Sequence, residues 1–277
     1  MRLGGTLFRK FDDADGWVAA VQHYGYRATY CPVGSDAEQS VVRAYVEAAR
    51  RADIVIAEVG AWSNPLSADQ KERAAALAKC KQQLDLADRV GACCCVNIAG
   101  SRGAKWDGPD PRDLTDETFG MIVESVREII DAVRPTRTFY TLEPMPWMYP
   151  DSAESYERLI EAIDRPRFGV HFDPVNLINS PQRYFENGAL VRDFVHRLAP
   201  HIKSCHAKDA LLADRLTVHL DEVRPGAGNL DFRVLLMQLD RLGPDLPLLM
   251  EHMQEEADFL TAAEYIRGEA REVGVGL

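Results

Sequence analysis

Four side chains able to bind a divalent metal close four short apolar runs in the second half of the chain. They are Glu143 after Thr141-Leu142, Asp173 after His171-Phe172, His206 after Ser204-Cys205 and Glu251 after Leu249-Met250. The steps between them are 30, 33 and 45 residues. A strand with its crossover helix takes roughly 30 residues or more, so the four fall once per strand–helix unit. Three carboxylates and one imidazole form an oxygen-rich set. It suits Mn²⁺ first, then Mg²⁺ or Co²⁺; Zn²⁺ also fits but usually takes more His or Cys. A dication leaves one residual negative charge, so a neutral diol or ketol can chelate through two oxygens. Coordination of that kind polarises a carbonyl and acidifies the C–H beside it. A glutamate that ligates through one oxygen keeps the other for proton transfer. One carboxylate at a strand end is commonly a surface or capping group. Four ligand types at the ends of four successive strands point to a functional cluster.

The elements that must carry these residues alternate along the whole chain. Strand-like runs span Arg2 to Phe8, Tyr26 to Val33, Asp53 to Val59, Ala92 to Ala99, Arg137 to Glu143, Arg167 to Asp173, His201 to Lys208 and Pro247 to Glu251. Between and after them lie helical patterns over Asp15 to Tyr24, Asp36 to Arg51 with Ser35 as its cap, Ala68 to Val90, Thr115 to Val133, Ser152 to Ile163, Asn187 to Ala199, Phe232 to Leu242 and Ala257 to Val273. Eight such units in one run predict parallel strands with right-handed crossovers, in a single α/β domain over residues 1–277 built as a (β/α)₈ TIM barrel. An open doubly wound sheet would need a glycine-rich phosphate turn after strand one, but Arg9-Lys10-Phe11-Asp12-Asp13 stands there. Long loops follow strands three to seven, over Gly60 to Ser67, Gly100 to Leu114, Pro144 to Asp151, Pro174 to Glu186 and Asp209 to Asp231, and shorter ones follow strands one and two. The second half of the barrel is therefore expected to wall the site.

Other residues could touch a substrate. His171 is two before Asp173 and Lys208 two after His206, so strand alternation puts each on its ligand's face. His171 could contact substrate or orient the ligands; Lys208 could bind a hydroxyl or carboxylate, or stabilise an enolate. Asn176 could hydrogen-bond a sugar hydroxyl. Trp62, Trp106 and Trp147 fall on the long loops and suit sugar C–H faces, although a lid or an oligomer contact would use them equally well. Asn97, Ser101 and Arg102 follow strand four and could meet polar substrate groups. Glu58, near the end of strand three, either reaches the site or pairs with a base.

Bulk properties exclude several classes. With 32 basic and 43 acidic residues, the formal charge of −11 disfavours a phosphate backbone as partner, so no nucleic acid is expected. No stretch approaches the ~18 apolar residues of a membrane span, and no signal-like segment opens the chain. The six cysteines contain no C-x-x-C pair and read as small buried hydrophobes in a reducing cytoplasm.

Five motifs together resemble the xylose isomerase-like barrel superfamily, which includes sugar phosphate isomerase/epimerase-like proteins, ketose 3-epimerases, inosose dehydratases and endonuclease IV. They are Leu142-Glu143-Pro144, the run from Gly169 to Asn176, His206-Ala207-Lys208-Asp209, the run from Pro225 to Asp231, and Glu251-His252. The resemblance covers essentially the whole chain. It implies one divalent ion on Glu143, Asp173, His206 and Glu251, with Glu143 and Glu251 as an acid/base pair on opposite faces of the substrate. It departs at Asn176, where ketose epimerases usually carry histidine. It departs also in strands two to four, which lack the histidines of the endonuclease's metal cluster. The expectation is a metal-dependent sugar or keto-sugar isomerase or epimerase acting on a small sugar, keto-sugar or cyclitol. A lyase acting on a keto sugar or inosose, and a barrel that binds sugar without turnover, stay open. Barrels of this kind commonly associate, so a homo-oligomer is expected.

Overall fold

The computed structural model describes residues 1–277. Eight strands close a parallel barrel: β1 (Arg2–Gly4), β2 (Ala28–Tyr30), β3 (Val55–Gly60), β4 (Cys94–Asn97), β5 (Phe139–Leu142), β6 (Phe168–Phe172), β7 (Ile202–Ala207) and β10 (Pro247–Met250), with β10 returning to β1. Two further strands, β8 (Asp209–Leu212) and β9 (Leu220–Val223), pair antiparallel above β7. The crossover helices are α1 (Ala14–His23), α2 (Gln39–Ala52), α3 (Gln70–Val90), α4 (Asp116–Val133), α5 (Ala153–Ile163), α8 (Asn187–Leu198) and α9 (Phe232–Asp240). Two short helices, α6 (Pro174–Leu177) and α7 (Pro181–Phe185), precede α8, and α10 (Glu256–Glu272) follows the last barrel strand. No helix is long and apolar enough to cross a membrane.

Local chemistry fixes these boundaries. In α3, Ala, Leu, Lys and Gln favour helix. The Asp69 carboxylate accepts from the Lys71 and Glu72 N–H at 2.8 and 3.0 Å, and Gly91 ends the helix at φ +71°. Its buried residues Ala76, Cys80, Leu84 and Ala87 recur at helical spacing and face the barrel. Full burial of a side chain such as Leu84 contributes about 1.5–3 kcal/mol. Gly4 permits the close approach of β1 to β2, since a side chain there would collide with the Ala28 carbonyl oxygen.

Register brings the strand ends level. Asn97 pairs Leu142, and Leu249 pairs His206. The Glu143 N–H continues the ladder to the Asn97 carbonyl at 2.8 Å. Glu143, Asp173 and Glu251 each stand one residue past the end of their strands, on the C-terminal rim.

Two sequence expectations need correction. The segment from Asp209 to Asp231, read as a loop, contains the β8–β9 hairpin, and the loop from Pro174 to Glu186 contains α6 and α7. Nor is the mouth walled mainly by the second half of the barrel. Strand one ends at Gly4 rather than Phe8, so the following segment runs over the rim, and Thr6 and Tyr30 join the wall.

Candidate metal and substrate site

The ligand atoms of Glu143, Asp173, His206 and Glu251 lie within 4.8 Å of one another. The local fold aims each one. Asp173 caps α6: its Oδ1 accepts from the Val175 and Asn176 N–H at 2.9 and 3.2 Å, leaving Oδ2 for the centre. Asn176 donates through Nδ2 to Glu143 Oε1 at 3.0 Å. His206 presents Nδ1 to Glu251 Oε1 at 2.9 Å, Glu143 Oε1 at 3.3 Å and Asp173 Oδ2 at 3.9 Å.

Below this ring lies a second polar tier. Glu58, inside the barrel, takes His171 Nε2 on Oε1 at 2.9 Å and His206 Nε2 on Oε2 at 3.2 Å, and it also accepts from the Ser204 hydroxyl. The two imidazoles meet edge to face at 4.1 Å. By occupying Nε2 of His206, Glu58 leaves Nδ1 to face the carboxylates. Tyr156 completes the support, donating to the carbonyls of Leu142 and His171 at 2.6 and 3.0 Å.

Charge is concentrated here. Burial opposes ionisation of every member, and the pairings decide the outcome. Burial would raise the Glu143 carboxyl, but His206 and Lys208 bring it down to about 2. Burial would likewise raise Glu251; the same two cations hold it well below the usual range. Asp173 goes the other way, pushed up to about 7 by burial and by its carboxylate neighbours against the pull of Lys208. Burial lowers His206, yet Glu251, Glu58 and Glu143 raise it far more.

The donors fit a metal. Asp173 Oδ2 and Glu251 Oε1 are buried and lack a hydrogen-bond partner. Lys208 Nζ approaches them at 2.7 and 2.6 Å, but off the hydrogen-bond direction, so each keeps an open acceptor position. A dication and the Lys208 ammonium would together balance the three carboxylates, and a metal on Nδ1 would replace the proton that His206 holds.

A cavity of about 620 Å³ opens over the ring. Trp62, Trp147 and Asn176 line it, as do Glu143 and Glu251. Lys208 reaches the carboxylates while only 1% exposed. His171 is sealed beneath His206. Asn97 and Arg102 have partners elsewhere. Asn97 bonds the Ser63 backbone through both its oxygen and its nitrogen, and Arg102 pairs with Glu117 at 2.5 Å. Ser101 is buried against Asp113. Sequence reasoning assigned no role to Tyr30 or Glu222, and His252 entered only as the neighbour of Glu251; all three line the cavity. His252 bonds Glu222 of the hairpin at 2.9 Å across the mouth, a pairing that only the β8–β9 turn creates.

A family profile described as xylose isomerase-like TIM barrel matches residues 18–269. Among curated protein sequences none matches the chain. Solved structures share the fold. D-psicose 3-epimerase with D-tagatose from Clostridium cellulolyticum H10 is 15% identical, with 99% of both chains covered and a TM-score of 0.69. A probable 3-DHS dehydratase involved in petrobactin synthesis from Bacillus anthracis is 16% identical, covering 96% of this chain and 97% of that one, with a TM-score of 0.70. A xylose isomerase-like TIM barrel protein from Mycobacterium smegmatis in complex with magnesium is 16% identical, covering 95% and 89%, with a TM-score of 0.65. The profile match over most of the length of this closed eight-stranded barrel shows that the chain belongs to the xylose isomerase-like TIM barrel family.

Proposed function

We propose that the protein is a divalent-metal-dependent isomerase or epimerase of a sugar or keto sugar, working by proton transfer next to a carbonyl. Glu143, Asp173, His206 and Glu251 would hold the ion, and Mn²⁺ is the ion we favour for three oxygens and one nitrogen. Bound there, the metal would polarise the carbonyl and acidify the C–H beside it.

The observation that carries the reading is a division within the four. Glu143 and Glu251 line the cavity, whereas Asp173 and His206 are fully buried. Holding an ion requires ligands alone; two carboxylates open to the substrate space also supply a base and an acid. Lys208, whose ammonium lies 3.6 Å from Glu143 and 2.6 Å from Glu251, favours the ionised form of both glutamates, so either can remove the first proton. The second glutamate must gain a proton from a hydroxyl or water before it delivers one, which lets solvent hydrogen enter the product. Delivery to the opposite face of the same carbon gives an epimer; delivery to the neighbouring carbon gives an isomer. Lys208, 2.6 Å from Glu251, adds positive charge that favours the developing oxyanion. Asn176 steadies Glu143, and the tryptophans offer ring faces to sugar C–H groups. The similarity in fold to an epimerase and to a magnesium-bound barrel supports this reading.

Elimination from a keto sugar or inosose is the second reading. Lys208 favours it, because an ammonium beside Glu251 can protonate a departing hydroxyl after the same C–H step, and a dehydratase is among the similar folds. Incubation of metal-loaded protein in D₂O with ketoses, keto sugars and inososes, followed by NMR and mass spectrometry, separates the two. Epimerisation or isomerisation places solvent deuterium on the carbon skeleton; elimination removes water or an aglycone. A product of unchanged mass without solvent hydrogen sinks the proton-transfer mechanism.

A further inference from the structure

The cavity over the carboxylates has a neighbour. A second chamber of about 510 Å³ adjoins it, and the two share Pro146, Trp147, Asn176 and Glu222. A hexose has the bulk of about six waters, roughly 180 Å³ at about 30 Å³ each. The near chamber, at about 620 Å³, already exceeds one sugar ring about threefold. A lone monosaccharide would leave the far chamber to water.

The far chamber has its own chemistry. Its ionisable side chains are Asp221 and Glu222, and no Lys, Arg or His lines it. A phosphate or carboxylate would find no counter-ion on this wall, because the nearest cations, His252 and Lys208, lie outside it and already face Glu222 at 2.9 and 3.6 Å. Val175, Ile178, Val218 and Leu220 give it an apolar side, and Asn179 offers an amide. Trp147 stands on the shared wall. Its indole N–H is already engaged by the Asp107 carbonyl at 3.0 Å, which fixes the ring and leaves its face for packing.

We infer that the far chamber is a second binding subsite and that the substrate is an uncharged glycoside. The sugar that reacts sits over the carboxylates, and the neutral ring joined to it, sugar or aryl, passes Trp147 into the far chamber. This rests on the sugar-handling function proposed above and narrows it to a substrate class.

Isothermal titration of the metal-loaded full-length protein tests it, with methyl glucoside, both anomers of phenyl glucoside, cellobiose and glucose 6-phosphate as probes. Cellobiose or a phenyl glucoside is expected to bind at least tenfold tighter than methyl glucoside, with glucose 6-phosphate the weakest. Which of the two gains more tells a sugar ring from an aryl ring in the subsite. Leu220→Glu and, independently, Val218→Trp should erase the gain and bring the neutral probes to one affinity; circular dichroism checks that each variant folds. Equal affinities in the wild type, a gain that survives both substitutions, or failure of every glycoside to bind overturns the inference. Deuterium exchange into free keto sugars, which need only the near chamber, is measured separately. Exchange without the glycoside preference removes the subsite alone. The preference without exchange removes the proposed reaction and leaves the subsite standing.

Discussion

Glu58 spends both carboxylate oxygens on histidines, and this decides which nitrogen of His206 faces the rim. A glutamine there offers one acceptor and one donor, so one imidazole loses its partner. Glu58→Gln should weaken metal binding by about 10–100-fold, read by chelator competition on folded protein. Unchanged affinity would mean that the tautomer is set some other way. Glu143→Gln and Glu251→Gln should each lower kcat by about 10²–10⁴-fold, because each removes a proton carrier. Initial rates by NMR on the substrate found in D₂O check this, and near wild-type rates in either variant would break the two-glutamate mechanism. Part of this arrangement was legible in sequence. A single carboxylate within Val55-Ile56-Ala57-Glu58-Val59 must find a partner when buried. The identity of that partner was not legible, since His171 and His206 lie 113 and 148 residues away.

Asp209 shows how a turn becomes an element. Its carboxylate accepts from the N–H groups of Ala210, Gly226, Gly228 and Leu230 at 2.8 to 3.0 Å, pinning the turn after β9 against the start of β8. Asp209→Ala orphans those donors and should destabilise the protein by about 3 kcal/mol. Hydrogen exchange should show protection lost first between Gly226 and Leu230. The hairpin escaped sequence reading because Leu220-Asp221-Glu222-Val223 lacks the apolar alternation of a buried strand. The barrel strands were legible as short continuous apolar runs, buried on both faces, and the long helices by their 3.6-residue periodicity. Asp88, near the end of α3, ties that helix to the entry of β5 by accepting from the N–H of Thr136, Arg137 and Thr138. Burial opposes its charge, but these donors prevail and hold its pKa below the ordinary 3.8. A carboxylate with a lowered folded pKa stabilises fully above its unfolded value and loses that contribution as pH falls through the folded one. Acid titration of thermal stability should therefore drop below about pH 4, and Asp88→Asn should flatten that limb while lowering the plateau above it. An unchanged acid limb would remove Asp88 from the account.

Across the entire barrel, anionic rim residues drawn from three strand ends meet in a space a few ångströms wide. A metal that binds this native arrangement and not the unfolded chain must stabilise it by mass action. At a free concentration of 100 times Kd the gain is about 2.7 kcal/mol, or about 5–10 °C in Tm for a chain of this size. Differential scanning fluorimetry after EDTA treatment and Mn²⁺ return should show that rise; identical melting curves would leave the rim without an ion. The separation between rim and loops carries a consequence for descent. The ligands ride on strand ends locked by the ladder, while the tryptophans and the hairpin ride on connections that can lengthen or change without disturbing it. A change of substrate would thus need only a rewriting of the segment around Trp147 or the β8–β9 arm. The rim carboxylates and His206, with the role proposed for them, would pass unaltered from ancestor to descendant.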